Sequence, residues 1–595
     1  MTDAFFQSSD SVRHGQPLQF AQTLQVDEPL ELARGGKLEQ VQVVYETYGS
    51  LTDARDNAVL ICHALSGDSH VAAHSESDDP GWWDIAVGPG KAIDTNRYFV
   101  ICPNVLGGCR GTTGPGSTNP QTGKPYGQDF PTVTIADMVN VQVKLVDELG
   151  IDRLAAVVGG SMGGHMVLQW TREHPDRLLG AVAIATSPRL TSQALAFDVV
   201  GRNAILHDPD FCEGQFYESQ KRPNVGLAIA RMLGHVTYLS REAMADKFGD
   251  NRHHPREVPT GFEQKFSVGS YLAYKGDQFV EIFDANSYVT LSTAMDLFDL
   301  GSTHGQLVHA FKNSSCRWLV VSFTSDWLFP ADQSREIVDA LIATDKPVTY
   351  CNIESGCGHD AFLLSQDLSK YGELIKAFLT NAAGSQIETA QAEAASTASQ
   401  RRLEYEVIVE LSDPGPSILD LGCGDGELLL RLKQRGHNRV VGLDIDQDAV
   451  IACARKGLDV IHADLNEGLS CFRENQFDFV VLSRTLQVIQ DVEGLLNDML
   501  RVGRRCIVSF PNFAYRKLRQ MFVEKGLAPE SPGVLRHRWY NTPNIRFFSI
   551  ADFESYCSDR EIVVHRRMTI DTEAGREVED DPNLNADLAI FVIGR

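Results

Sequence analysis

The chain has 595 residues, 43% of them hydrophobic and 22% charged, which excludes disorder throughout and supplies apolar material for more than one core. At roughly 150 residues per domain, the length predicts more than one domain. Lys and Arg total 54 against 79 Asp and Glu, a formal charge of −25, so the long-range field repels nucleic-acid backbones and anionic membranes.

The opening MTDAFFQSSDSVRHGQPLQF has no basic stretch leading into an apolar one, and nowhere do eighteen apolar residues run together. The expectation is a soluble, cytoplasmic protein with neither a membrane nor a nucleic-acid partner. Twelve cysteines are scattered singly without a Cys-x-x-Cys pair, a pattern that disfavours a metal site and reads as buried thiols in a reducing compartment.

Short apolar runs bounded by polar turns recur at Val41–Tyr48, Ala58–His63, Tyr98–Cys102, Ala155–Val158, Ala181–Ala185, Trp318–Phe323 and Val348–Ile353. Several are too continuously apolar to be half-exposed, so they suit a sheet covered on both faces. Ile135–Leu149 and Met162–Glu173 carry apolar residues at helical spacing, and the alternation predicts a mostly parallel α/β sheet over residues 1–382. Residues 190–300 lack strand signals and predict a helical lid. The Ala-, Ser- and Thr-rich stretch at about 383–400 predicts a flexible linker. Beyond it the alternation restarts at Ser417–Leu421, Arg439–Leu443, Val460–His462, Phe479–Ser483 and Arg505–Phe510, a second and smaller α/β domain over 401–595.

The sharpest motif is Gly159-Gly160-Ser161-Met162-Gly163, G-x-S-x-G between an apolar strand and a helical pattern. A nucleophile elbow needs small neighbours because the serine occupies a strained strand-to-helix turn that lifts its hydroxyl above the sheet edge. Serine alone is a poor nucleophile and needs a base held by an acid, arriving in the order Ser, Asp, His in an α/β-hydrolase. Asp326 follows the strand Trp318–Phe323, and His359 follows Val348–Ile353. Each alone reads as a turn residue; together, in order and on one edge, they predict the catalytic triad Ser161, Asp326 and His359. The backbone amides of Met162 and of Leu65, in the loop after Ala58–His63, are the predicted oxyanion hole, and His63 is a structural loop residue.

The blocks CHALSGDSH, GGCRGTTGP, KPYGQDFP, GGSMGGHMVLQW, IARMLGHVTYLS, FDANSYVTL, SDWLFP and GCGHDAFL together resemble the homoserine O-acyltransferase family of methionine biosynthesis over residues 10–380. The resemblance implies an α/β-hydrolase fold with a helical lid, a homodimer formed through that lid, and ping-pong transfer from acyl-CoA through Ser161 to the hydroxyl of L-homoserine. It also implies that Arg231 and Asp360 hold the carboxylate and amine of homoserine. Family members using succinyl-CoA carry arginine two residues after the triad acid. Here that position is Leu328, which suits a methyl group rather than a second carboxylate and favours acetyl-CoA. The alternatives are succinyl transfer and simple hydrolysis.

In the second half, Asp420-Leu421-Gly422-Cys423-Gly424-Asp425-Gly426 joins a strand to a helical run. A dinucleotide fingerprint would require glycine where Glu427 stands, whereas D-x-G-x-G-x-G is the form of S-adenosylmethionine-dependent methyltransferases. Asp444 after the next strand suits two ribose hydroxyls, and Asp464 after the third would reach the adenine. LDLGCGDGELL, FDFVVLSRTLQV, MLRVGRRCIVSFPNF and WYNTPNIRFFSIADFE further resemble the MetW family, which implies a class I, Rossmann-like methyltransferase fold binding S-adenosylmethionine at Asp420, Gly422, Gly424, Gly426, Asp444 and Asp464. Whether this domain methylates or is a non-catalytic regulatory unit stays open.

Overall fold

The structure is a computed structural model and describes residues 18–219, 221–249, 267–382, 403–530 and 537–595. The expected linker at 383–400 lies outside the described residues. The chain divides into two compact units with the break between residues 385 and 386.

The main sheet of the first unit contains β1 (Gln22–Val26), β2 (Val41–Tyr48), β3 (Ala58–Cys62), β4 (Phe99–Pro103), β5 (Ala156–Gly160), β6 (Gly180–Ile184), β7 (Arg317–Phe323) and β8 (Val348–Ile353). Their spatial order is β1-β2-β4-β3-β5-β6-β7-β8. β2 pairs antiparallel with β1 and β4, and the pairs from β4 through β7 are parallel. The amide of Trp318 donates to Pro347 at one end of β7 and that of Thr324 to Ile353 at the other, so β8 runs the same way. β3, β5 and β6 are buried at every residue, as their unbroken apolar sequences require of strands covered on both faces. One cover is α1 (Ile135–Glu148), which starts at a reciprocal Thr134/Asp137 cap and buries Met138, Val141 and Leu145. The other helices flanking the functional edge are α2 (Met162–Glu173), α3 (Ser192–Leu206), α4 (Asn224–Tyr238), α5 (Arg241–Phe248), α6 (Ser267–Ile282) and α7 (Ala285–Asp296). The last five fill the segment between β6 and β7.

The second unit has β9 (Ser417–Leu421), β10 (Arg439–Asp444), β11 (Asp459–His462), β12 (Phe477–Ser483), β13 (Gly503–Pro511), β14 (Val563–Asp571) and β15 (Leu588–Gly594) in the order β11-β10-β9-β12-β13-β15-β14. The pairs from β11 through β13 are parallel, and β15 runs antiparallel to both β13 and β14. The order reverses at β9, between β10 and β12, and ligands of doubly wound sheets bind at such a switch point.

Candidate active site

Ser161 lies between β5 and α2 with φ 57° and ψ −124°, a backbone region that serine enters only under constraint. The constraint is steric. A Cβ on Gly159 would stand 2.4 Å from the carbonyl carbon of Gly163, and one on Gly163 would stand 2.1 Å from the carbonyl oxygen of Cys62. Strand and helix therefore meet backbone to backbone around the serine, whose own amide donates to Ile184 at 3.0 Å. Met162 is the first helical residue, so its N–H has no carbonyl a turn earlier in α2 to bond.

Asp326 and His359 follow β7 and β8 at the same sheet edge. Nδ1 of His359 lies 2.8 Å from Oδ2 of Asp326, and both side chains are buried. The other carboxylate oxygen, Oδ1, accepts the amides of Leu328 and Phe329 at 3.0 and 2.9 Å. One aspartate thus makes the turn and holds the imidazole. Burial by itself lowers the His359 pKa, but the Asp326 charge and hydrogen bond, with Asp360 nearby, raise it above the usual imidazole value. The ring stacks on Phe329 at 5.0 Å and lies 6.0 Å from Tyr238.

Phe329, Tyr238 and Ser161 share a small cavity walled also by Leu65, Asp198 and Leu328. Among the described residues no lysine or arginine lines it. The end of α4 secures both loops: Trp327 Nε1 donates to Leu239 at 3.0 Å, Ser240 Oγ donates to Gly356, and a Cβ on Gly358 would strike Tyr238 and Ser240 backbone at 2.5 Å.

Arg231 and Asp360 stand beside the cavity rather than in its wall. The Arg231 guanidinium lies 4.6 Å from the Phe279 ring centre and 5.7 Å from that of Tyr238, and its Nη1 donates to Ser66 Oγ at 3.3 Å. Burial raises the Asp360 pKa, while His359 and Arg231 pull it down. His63 accepts the Val105 amide on Nε2 at 3.1 Å and is a neutral structural residue, as expected from its loop position. Ser66, Tyr238 and Asp198 border the same candidate site, and the sequence reading did not single them out. Ser66 stands next to Leu65, and Tyr238 lies seven residues after Arg231 on one face of α4, so helical spacing offered a signal for the second. Burial, with Asp296 alongside, pushes the Asp198 carboxyl up to about 8, and a helix-surface acid carries no such mark in sequence.

In the second unit Gly422, Gly424 and Gly426 all have positive φ, at 72°, 54° and 79°. The Gly424 amide donates to Asp444 Oδ2 at 2.7 Å, which braces the turn from the end of β10. Nothing stands within 4 Å of where a Gly424 Cβ would be, so the turn leaves an open cradle. Asp420 is 1% exposed, and its Oδ1 has no hydrogen-bond partner. Burial, reinforced by Asp444 and Glu404, pushes this carboxyl up to about 7. Asp464 accepts from the Asn466 amide and side chain, capping its own turn. No cluster of metal-ligating side chains occurs among the described residues, and no described helix is long and apolar enough to cross a membrane.

Residues 57–366 match the "alpha/beta hydrolase fold" family and residues 402–593 match "Methionine biosynthesis protein MetW". Along 99% of its length the chain is 51% identical to the bifunctional methionine biosynthesis protein MetXA/MetW of Rhodopirellula baltica, covering 95% of that protein. Its first part is 52% identical to a homoserine O-acetyltransferase of Mesorhizobium japonicum, over 57% of this chain and 88% of that one. It is also 50% identical to a homoserine O-succinyltransferase of Litchfieldella anticariensis, over 60% of this chain and 92% of that one. The crystal structure of homoserine O-acetyltransferase from Bacillus anthracis superposes with a TM-score of 0.55 at 30% identity, covering 61% of this chain and 98% of that one. Coverage of both chains almost end to end, with both domains in the same order, shows that this protein belongs to the family of bifunctional methionine biosynthesis proteins MetXA/MetW.

Proposed function

We propose that the first unit transfers an acetyl group from acetyl-CoA to the hydroxyl of L-homoserine by a ping-pong reaction. Ser161 attacks the thioester while His359 takes its proton, and the amides of Met162 and Leu65 receive the oxyanion. Asp326 fixes the imidazole tautomer. His359 returns the proton to the departing CoA thiolate, then deprotonates homoserine as it attacks the acyl-enzyme, and Ser161 regains its proton. Arg231 and Asp360 hold the carboxylate and the ammonium of homoserine, a cation and an anion for a zwitterion. The Asp326–His359 bond beside the strained Ser161 turn carries this reading.

Acetyl rather than succinyl is favoured by the wall of the cavity. Leu328 and Asp198, whose carboxyl is pushed up by burial, line the cavity and offer a distal carboxylate no cation, and burying an unpaired charge is costly. Brief exposure of the protein to each donor followed by mass spectrometry tests the scheme: an acetyl adduct on Ser161 supports it, and a succinyl adduct or none counts against it.

The second unit fits S-adenosylmethionine. The open glycine turn, Asp444 and the unpartnered buried Asp420 would hold it, with Asp464 toward the adenine. When bound, that cofactor supplies an electrophilic methyl on a sulfonium. The chain's own residues orient it, and the loop Ser483–Gln487 after β12 faces the same edge. We further propose a homodimer through the lid, because Val199, Val200, Val225 and Ile229 of α3 and α4 leave an apolar face exposed. A cytoplasmic site of action suits a chain whose cysteines form no disulfide among the described residues.

A further inference from the structure

Two of the sequence blocks, CHALSGDSH and GGCRGTTGP, are not used up by the chemistry above. They meet where Arg110 pairs with Asp68, and the end of the first block packs on a fully buried acid. Glu46 of β2 has no exposed surface; Tyr48, Ser69 and His70 hydrogen-bond to its carboxylate and His74 lies close by. Oε2 accepts the Tyr48 hydroxyl at 2.8 Å and lies 3.0 Å from His70 Nδ1 and 3.2 Å from His74 Nε2. Oε1 accepts Ser69 Oγ at 3.4 Å.

The remaining nitrogen of His70, Nε2, lies 2.8 Å from the Asp79 carbonyl oxygen. A carboxylate and a carbonyl can only accept, so both ring nitrogens donate and His70 is an imidazolium. Burial works against that charge, but Glu46 and the Asp79 carbonyl, with Asp68 at longer range, raise the ring to about 9. His74 and Asp78 also face the pair, His74 through Glu46 and Asp78 at 3.9 Å from His70 Nε2.

A buried ion pair is weak evidence for stability, because desolvation offsets much of its attraction. What distinguishes this one is its place. His70 ends the loop that carries Leu65 and Ser66. Asp68 in the same loop accepts from Arg110 Nε at 3.1 Å, and the Ser69 amide donates to Asn104 at 2.8 Å. The indole of Trp82 donates to the Asp68 carbonyl, and that of Trp83 to the carbonyl of Phe362, both at 2.9 Å. Phe362 belongs to the turn Gly358–Leu363, which carries His359.

We propose that Glu46 and His70, with His74, form a positioning unit that holds the Leu65 amide against Ser161 and, through Trp83, steadies the His359 turn. None of the three is a catalytic residue. The inference rests on the reading that Leu65 is an oxyanion donor.

The test compares the full chain with its His70→Gln and Glu46→Gln variants. His70→Gln keeps a donor toward Glu46 and removes the charge and the bond to Asp79. The readouts are kcat, KM for homoserine, and the affinity of an alkyl boronic acid, whose tetrahedral adduct on Ser161 needs the oxyanion donors. Deleting a whole oxyanion donor costs about 10²–10³ in kcat, so displacing one is expected to cost about 10–100-fold, with boronate affinity falling by the same factor. KM for homoserine is expected to stay within about threefold, since Arg231 also rests on Phe279 and Tyr238. If Glu46→Gln does not fold, His74→Gln removes the ring that lies 3.2 Å from Glu46 and is expected to show the same signature at a few-fold. A folded variant with unchanged kcat and boronate affinity overturns the proposal. So does a loss of folded protein at constant activity per folded molecule. A wild-type chain that forms no boronate adduct would instead defeat the Ser161 reading itself.

Discussion

Asp326 gives one carboxylate oxygen to His359 Nδ1 at 2.8 Å and the other to the amides of Leu328 and Phe329. The acid is thereby fixed in place, and its charge and hydrogen bond raise the His359 pKa. A general base works only when deprotonated, so a raised pKa makes activity fail at higher pH on acidification than an ordinary histidine would. We predict an acid limb of kcat/KM above the free-imidazole value of about 6.5. Asp326→Asn is expected to move that limb downward and to cut kcat by about 10⁴, because the amide selects the wrong tautomer. A pH–rate profile in which the limb stays in place would contradict the assignment.

Ser161→Ala is expected to abolish acyl transfer, by at least about 10³-fold, while leaving the fold intact. Alanine meets the same positive φ as serine, and the close contacts at Gly159 and Gly163 are untouched. Thiol release from acetyl-CoA in the presence of homoserine, beside thermal melting, decides this. Near-normal turnover in the variant would rule out a covalent intermediate.

We predict that donor choice turns on Leu328. Leu328→Arg places a cation in a cavity that has none among the described residues and is expected to raise kcat/KM for succinyl-CoA at least tenfold relative to acetyl-CoA, about 1.4 kcal/mol or more. Paired assays with the two donors give the ratio directly. If it does not move, the wall opposite Leu328, with Asp198, sets the preference instead.

Asp444→Ala removes the brace on the Gly424 amide and the acid at the end of β10. We expect calorimetry on the full chain to show S-adenosylmethionine affinity reduced at least tenfold and acyl-transfer kinetics unchanged. Equal affinity in the variant would mean that the second unit uses its glycine turn for something else.

The Ser161 turn was legible in the amino-acid order because its constraint is local: four glycines within six residues are what a backbone-to-backbone contact demands. Asp326 and His359 were legible for a topological reason, since parallel strands deliver their following loops to one edge. Glu46 was not. Its neighbours in VQVVYETY say only that a strand is covered, and its partners His70 and His74 arrive through tertiary folding. Likewise the contact between Arg231 and Ser66 spans 165 positions. β1 and β14 escaped notice because edge strands expose most of their residues and carry little apolar signal.

The direct seating of α2 on β3 and β5 also bears on how such an enzyme can change. With no side chain between Gly163 and the Cys62 carbonyl, the floor beneath the nucleophile has nothing to trim or enlarge. Variation that alters what is acylated is therefore channelled into the helices above, α3, α4 and α7, and into the Leu328 turn. A library aimed at new acceptors is best confined to those segments, leaving the floor as an invariant chassis.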